Sequence, residues 1–241
     1  MLFGVPGGAL SQVSNPISLL YASKHDTGNN STDGTAYNPA YPSATVSLGS
    51  AGTNTLVVIG VSWEGSNNGT SNISSMTLGG NAMTEICTVG EQSTGTYSSL
   101  YMYETNATSS SISIVFGGTA STKSYRTGIY IQCLDKASPI ILDSYDTQST
   151  TVTGTQVSTS MHLKRGQAIV VNTTGADYDS TAAYNHSELG SGIYEYRYSV
   201  GGESSTTQLT HSYINNNSSR NITYTTENMT LSKCLCAAVF R

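Results

Sequence analysis

The sequence predicts an all-β protein: an antiparallel β-sandwich of jelly-roll-like type that carries an extended N-terminal arm. Two observations support this prediction. Short runs of alternating apolar and polar residues recur along most of the chain, and such alternation is the pattern of a half-buried strand. Turns rich in glycine, serine and asparagine separate these runs, and no run has the length and period of a long helix.

About a dozen strands are predicted from residue 44 onwards, as expected for a sandwich, jelly roll or barrel. The run at 55–62 indicates a strand buried on both faces near its start. The clearest hairpin is 75–86, because Gly79-Gly80-Asn81 supplies the positive φ that a tight turn needs. The other predicted strands span 44–48, 98–104, 111–116, 128–134, 139–142, 155–161, 168–171, 192–200, 207–213, 221–226 and 233–240.

Residues 1–44 differ from the rest and are predicted to be the arm. They contain four of the five prolines and a polar run, and no periodic pattern lasts there. We expect the arm to grip neighbouring chains through a short apolar anchor, with a fold-back of the arm onto its own domain as the alternative. Residues 45–241 are predicted to form the sandwich; 45–145 and 146–241 are candidate similar halves, but the lack of a linker favours one continuous unit. The anchor consists of Ile17, Leu19, Leu20 and Tyr21.

Charge is unusually scarce. Charged residues make up 10% of the chain and the formal net charge is −5, against about 25% charged residues in an average soluble domain. The ten lysines and arginines do not cluster, which argues against nucleic-acid and anionic-membrane partners. The N-terminus lacks the basic start and long apolar run of a secretory signal, and the apolar stretches are too short for a transmembrane helix.

The four cysteines are Cys87, Cys133, Cys234 and Cys236. Their spacing does not fit a zinc site of the CxxC kind. Cys234 and Cys236 would share one face of a strand, and cysteines in such positions are usually small buried hydrophobes. We therefore predict free, buried thiols, with a disulfide as the weaker alternative.

Catalytic motifs are not found in the sequence. It contains no GxSxG elbow and no HExxH, and its four histidines stand apart from one another. A β-sandwich glycoside hydrolase would need two facing carboxylates, for which Glu64, Glu188, Glu195 and Glu203 are the available candidates. The sequence favours a protein that is not an enzyme and that uses no cofactor.

Two short acidic clusters could donate oxygens to calcium. Asp177 and Asp179 follow a predicted core strand, and Asp143 and Asp146 form a similar pair. Calcium takes six to eight oxygens, whereas loop aspartates more often cap turns. The sequence therefore indicates no metal site, with Asp177 and Asp179 as the weak candidates.

Aromatic residues offer a candidate contact surface. Trp63 follows a core strand, and Tyr194, Tyr196 and Tyr198 form a stripe on one face of a predicted strand. Tyrosine and tryptophan are enriched at protein interfaces, and such rings also stack on sugars. Cross-strand packing on a half-buried face explains the stripe equally well.

The stretch from about residue 50 to 140 resembles β-sandwich domains in virion proteins of tailed bacteriophages. Four segments in order carry the resemblance: the core strand from Thr55 to Glu64, the hairpin from Met76 to Thr84, the tyrosine-bearing strand at 99–103 and the alternating strand at 111–116. The resemblance implies a capsid decoration protein or a tail or fibre component. It supplies no catalytic residues.

The function expected from this resemblance is that of a decoration or cement protein, assembled without a signal peptide into the virion. Its partners would be the major capsid protein or other virion proteins, together with copies of itself, a trimer being one candidate. The arm and the low surface charge are consistent with this role, since a lattice protein must grip neighbours without leaving sheet edges free. The alternative is a tail-fibre, receptor-binding or carbohydrate-binding β-sandwich module.

Overall fold

The computed structural model describes residues 16–26, 40–64, 71–91, 95–118, 126–151, 157–177, 205–215, 219–225 and 233–241. These residues form fifteen β-strands, and none of them is helical. The strands are arranged in several antiparallel sheets packed on one another. The predicted all-β class and antiparallel pairing are confirmed.

The first nine strands fall before residue 136 and the other six after it. The strands are β1 (Ser18–Asp26), β2 (Ala40–Ser47), β3 (Leu56–Glu64), β4 (Ser71–Leu78), β5 (Asn81–Ala82), β6 (Thr84–Glu91), β7 (Thr96–Glu104), β8 (Ser109–Gly118), β9 (Arg126–Asp135), β10 (Leu142–Thr150), β11 (Ser158–Leu163), β12 (Ala168–Asp177), β13 (Ser205–Ile214), β14 (Arg220–Thr225) and β15 (Lys233–Phe240).

The strands form four sheets. Sheet I has the order β1-β9-β3-β7-β6, and sheet II the order β2-β8-β4-β5. Sheet III has the order β10-β15-β12-β13, and sheet IV pairs β11 with β14. Three apolar cores lie between successive sheets, in the order II, I, III, IV. The molecule is therefore a stack of four sheets.

The two central sheets are covered on both sides, as their sequences require. In β3, Val57, Ile59 and Val61 face sheet II, while Leu56 and Val58 face sheet III. All five side chains are almost completely buried. A strand buried on both faces has a continuous apolar run instead of an alternating one. The prediction of such a strand at 55–62 is confirmed.

The hairpin turn lies where the sequence predicts it. Gly79 and Gly80 have φ values of 60° and 79°, and the two-residue loop joins β4 to β5 in antiparallel pairing. The second arm is shorter than predicted, because Met83 is buried in the core between sheets I and II. Beyond Met83 the chain joins sheet I as β6 instead of continuing along β4.

The predicted arm boundary at residue 44 is wrong for the described residues. The strand β1 pairs with β9 of the same chain over its full length, and β2 pairs with β8. Residues 16–26 and 40–44 are therefore part of the chain's own sheets. The predicted polar run lies mostly in residues 27–39, which fall outside the described residues, as do residues 1–15.

The described strands form two pairs of packed sheets. Sheets I and II are built from β1 to β9, and sheets III and IV from β10 to β15. Sheets I and III pack face to face, and we call this contact the seam. The change from one sandwich to the other falls between Asp135 and Leu142, a few residues before the candidate division at 145/146. The short segment 136–141 connects the two halves along the chain, and the core between sheets I and III packs them together.

Candidate contact groove at the seam

Trp63 is not an exposed platform. Its side chain is completely buried between sheets I and II, stacked on Tyr97 at 5.1 Å between ring centroids and tilted against Phe116 at 5.8 Å. The indole Nε1 donates a hydrogen bond to Ser71 Oγ at 3.1 Å. The indole ring packs against other side chains of the same chain, and its N–H is hydrogen-bonded to Ser71. The prediction of a Trp63 surface site is therefore wrong.

Several other predicted site residues fall outside the described residues. These are Tyr194, Tyr196, Tyr198, Asp179, Glu188, Glu195 and Glu203. Asp177 is the last residue of β12 and Glu64 the last of β3, where the structure describes the backbone alone. The structure therefore does not test the predicted tyrosine stripe, the weak calcium candidates Asp177 and Asp179, or the carboxylates that the alternative of a hydrolase would need.

The second acidic pair is occupied by protein donors. Asp143 accepts a hydrogen bond from Gln167 Nε2 at 3.1 Å and pairs with Arg241 at 3.1 Å. Asp146 accepts a hydrogen bond from Thr159 Oγ1 at 2.6 Å. Within the described ranges, no three His, Cys, Asp or Glu side chains gather as metal ligands would. The pair fastens the edge strand β10 to its neighbours.

The four anchor residues divide between the two faces of sheet I. Ile17 is 1% exposed and lies in the core at the seam, with Leu19 packed against the same core. Tyr21 packs against the core between sheets I and II. A β-bulge between Leu19 and Tyr21 places Leu20 out of register, and it is 37% exposed. The prediction that Ile17 binds a partner is wrong, because it is buried in its own chain.

All four cysteines are free and buried, as predicted. Cys234 Sγ lies 3.3 Å from Thr96 O, and Cys236 Sγ lies 3.2 Å from Ser98 O. Burial raises the pKa of Cys133 to about 12 and raises the pKa of Cys234 further. A thiol must ionise to act as a nucleophile or a metal ligand. These cysteines therefore serve as packing residues at ordinary pH.

A buried polar network fixes the seam. Asn172 Nδ2 lies 2.8 Å from Ser98 Oγ and 3.2 Å from Val61 O, and Ser98 Oγ donates to Asn172 O at 3.1 Å. Gly60 lies directly beneath, where a Cβ would be 2.7 Å from Asn172 Oδ1. Sequence analysis missed this network, because its members come from strands far apart in the chain.

A surface groove opens at one end of the seam, and we call it the seam groove. It has two adjoining lobes of about 170 and 260 Å³. Leu56, Glu104 and Ile140 line both lobes. The smaller, polar lobe is completed by Asn54, Thr55, Thr105 and Asn106. The larger, apolar lobe is completed by Thr84, Met102, Tyr103, Ile141 and Leu142.

Exposed apolar side chains accompany the groove. Among the described residues four large hydrophobic side chains are exposed; Ile141 at 47% belongs to the groove, and Tyr145 at 57% is another of the four. Ile141 lines the apolar lobe, and Tyr145 lies further along β10. The sequence held a signal for this surface, namely three consecutive apolar residues at 140–142 directly before a polar strand.

No known protein family and no curated protein matches the sequence. Across the described ranges, no helix is long and apolar enough to cross a membrane.

Proposed function

We propose that the chain is a structural protein of a tailed-phage type of virion, in the role of a capsid decoration or cement protein. It binds neighbouring capsid subunits or other virion proteins and associates with copies of itself, a trimer being one candidate. The segments that resemble phage virion domains support the proposal, since they form β3, the β4–β5 turn, β7 and β8. These strands are the core of sheets I and II.

The exposed apolar surface at the seam groove is the observation that carries the proposal. Ile141 leaves about half of its surface in water and lines the apolar lobe together with Met102 and Leu142, on a chain with few charges. Contiguous apolar patches on such a surface usually mark sites of protein association, and methionine and tyrosine are enriched there. The groove thus offers a contact site that is part of a rigid sheet stack.

The attachment site in this proposal differs from the one predicted by the sequence. Ile17 and Leu19 face the chain's own core, so the contact is assigned to the seam groove and not to the apolar anchor. Leu20 stays available as a secondary contact, because the bulge in β1 turns it outward.

A tail-fibre, receptor-binding or carbohydrate-binding role is the second candidate. The polar lobe favours it, because amide, hydroxyl and carboxylate groups are the usual partners of sugar hydroxyls. The burial of Trp63 counts against it, since this ring was one of the predicted platforms. Tyr103, which lines the groove, packs mainly against the core between sheets I and II.

Quantitative mass spectrometry of purified particles tests the proposed function. Particles are isolated on a density gradient from a lysate of the strain that carries the gene. A decoration protein should be present in a constant ratio to the major shell protein, and the ratio should survive repeated banding. Recovery of the chain only from the particle-free fractions would refute the proposal.

A further inference from the structure

From the chemistry of the seam groove we infer that it binds an extended segment of a partner protein, with an aliphatic side chain in the apolar lobe and a lysine or arginine beside Glu104. This inference deepens the proposed function and rests on it only for the identity of the partner. The binding chemistry itself belongs to the isolated chain.

The apolar lobe selects an aliphatic side chain. Its floor and wall consist of Leu56, Met102, Ile140, Ile141 and Leu142. Its volume of about 260 Å³ lies below the range of drug-sized ligand sites, and therefore suits one side chain better than a large ligand. Methionine adapts its shape to the group that packs on it, and Ile141 has much exposed surface to bury.

The carboxylate of Glu104 favours a positively charged side chain on the bound segment. Its carboxylate is exposed at the junction of the two lobes. Among the described residues it makes no hydrogen bond and no ion pair, in contrast to Glu85, which accepts a hydrogen bond from Tyr101 at 2.9 Å. An unpaired carboxylate beside an apolar lobe complements a cationic side chain whose methylene stem lies on apolar surface.

The polar lobe adds acceptors and few donors. Asn106 is held in place, because its Oδ1 accepts from Thr55 N and its Nδ2 donates to Thr53 O. Asn54 Nδ2 donates to Lys136 O, which leaves Asn54 Oδ1 as an acceptor. With Glu104, the lobe thus offers oxygen acceptors to a ligand rich in N–H donors, such as a lysine ammonium or an arginine guanidinium.

Peptide titration followed by NMR tests the inference on the full chain. The probes are three acetylated, amidated tetrapeptides: Gly-Leu-Lys-Gly, Gly-Leu-Glu-Gly and Gly-Gly-Lys-Gly. The Leu-Lys probe should shift amide signals of residues 102–106 and 140–142. Replacing leucine by glycine should weaken binding by about tenfold or more, since a buried leucine side chain is lost. Replacing lysine by glutamate should weaken it by at least about twofold to fivefold.

Two variants distinguish the effect of the Glu104 charge on binding from a general effect of removing a charge from sheet I. Glu104→Gln should reduce the Leu-Lys over Leu-Glu preference to near unity, and about 1 M salt should do the same, because the charges are exposed to solvent. Glu85→Gln is the matched control: it removes the same charge from the opposite face of sheet I and should leave both affinities unchanged.

Three results would overturn the inference: no shift in the groove with any peptide, equal affinities for Leu-Lys and Leu-Glu, or shifts caused only by a neutral sugar such as N-acetylglucosamine. Its failure can be told apart from that of the proposed function. If the chain binds the peptides but is absent from particles, the inferred binding site stands and the virion role is refuted. If the chain is present on particles but does not bind the peptides, the virion role stands and the inferred binding site is refuted.

Discussion

At the scale of single residues, the seam depends on one close fit. Asn172 from sheet III lies on the backbone of Gly60 in sheet I, and its Nδ2 has acceptors on Val61, Ser62, Ser98 and Ser99. A buried amide costs free energy unless it is hydrogen-bonded. The pair therefore fixes how the two sandwiches sit on each other, and mispacked arrangements leave the amide unpaired.

Gly60→Ala should destabilise the chain by about 1–3 kcal/mol, the usual effect of overpacking a core. The added Cβ would lie 2.7 Å from Asn172 Oδ1 and 3.1 Å from Asn172 Cβ. Denaturant unfolding measures the difference. Gly117→Ala is the matched control in a strand of sheet II, where the Cβ meets surface side chains at 3.1 Å or more. Equal losses in the two variants would contradict a special role for Gly60.

Gln132 differs from Asn172, because its buried side-chain amide is not hydrogen-bonded within the described residues. Its side chain is completely buried, and among the described residues neither amide atom has a hydrogen-bond partner. Gln132→Met keeps a similar volume and removes the buried polar atoms, so stability should rise by about 1 kcal/mol. Asn172→Met removes satisfied polar atoms and should lower stability by about 2 kcal/mol or more. Unfolding curves of the two variants should shift in opposite directions, and a shift in the same direction would contradict this account.

At the scale of elements, strands with strong apolar patterns were predictable, whereas the edge strands β1 and β10 were not. The sequence locates β3, the turn at Gly79 and Gly80, and β15, because a buried strand must be apolar and a tight turn needs glycine. The strand β10 (Leu142–Thr150) is mostly polar, since an edge strand has little surface to bury. The predicted strand at 139–142 overlaps β10 only at Leu142.

The seam groove and the burial of Trp63 were beyond sequence reasoning for a related reason. Trp63 is followed in the sequence by a polar run, which suggests exposure, yet its side chain is buried in the core between sheets I and II. The groove joins residues near 54, 104 and 140, and only the pairing of distant strands brings these together. The groove residues can be read from the sequence, but their proximity in the fold cannot.

The anchor region should behave as part of sheet I. Ile17→Asp places a charge in the core at the seam and should cost about 3 kcal/mol or more. Leu20→Asp alters the exposed bulge on the same strand and should cost about 1 kcal/mol or less. Thermal or denaturant unfolding gives both values. If both variants keep wild-type stability, β1 is a detachable arm after all.

At the scale of the whole molecule, four stacked sheets bury three apolar cores and four thiols. Burial raises the pKa of Cys133 from its usual 9.0 to about 12, and the pKa values of Cys234 and Cys236 are also raised. In the native chain the thiols of Cys133, Cys234 and Cys236 therefore hold their protons at a pH where the same thiols lose them in the unfolded chain. This contribution to stability is fully present below pH 9 and is lost as the pH rises towards 12.

The chain should therefore be more resistant to denaturant below pH 9 than above it. The denaturant concentration at the unfolding midpoint should decrease as the pH rises from 9 to 12. A thiol reagent such as Ellman's reagent provides the second readout. At pH 8 the native chain should react slowly, and the denatured chain should react at all four cysteines. Rapid native reaction of several thiols would contradict the burial on which the four-sheet stack depends.

The central claim is that this sheet stack is a contact protein of a virion and that the seam groove faces a neighbouring subunit. Electron cryomicroscopy of particles from the strain that carries the gene tests the claim most directly, at a resolution that separates side chains. The account predicts density for four stacked sheets on the particle, with Glu104 and Ile141 buried against another protein. A particle without this density, or one in which the groove faces solvent, would contradict it.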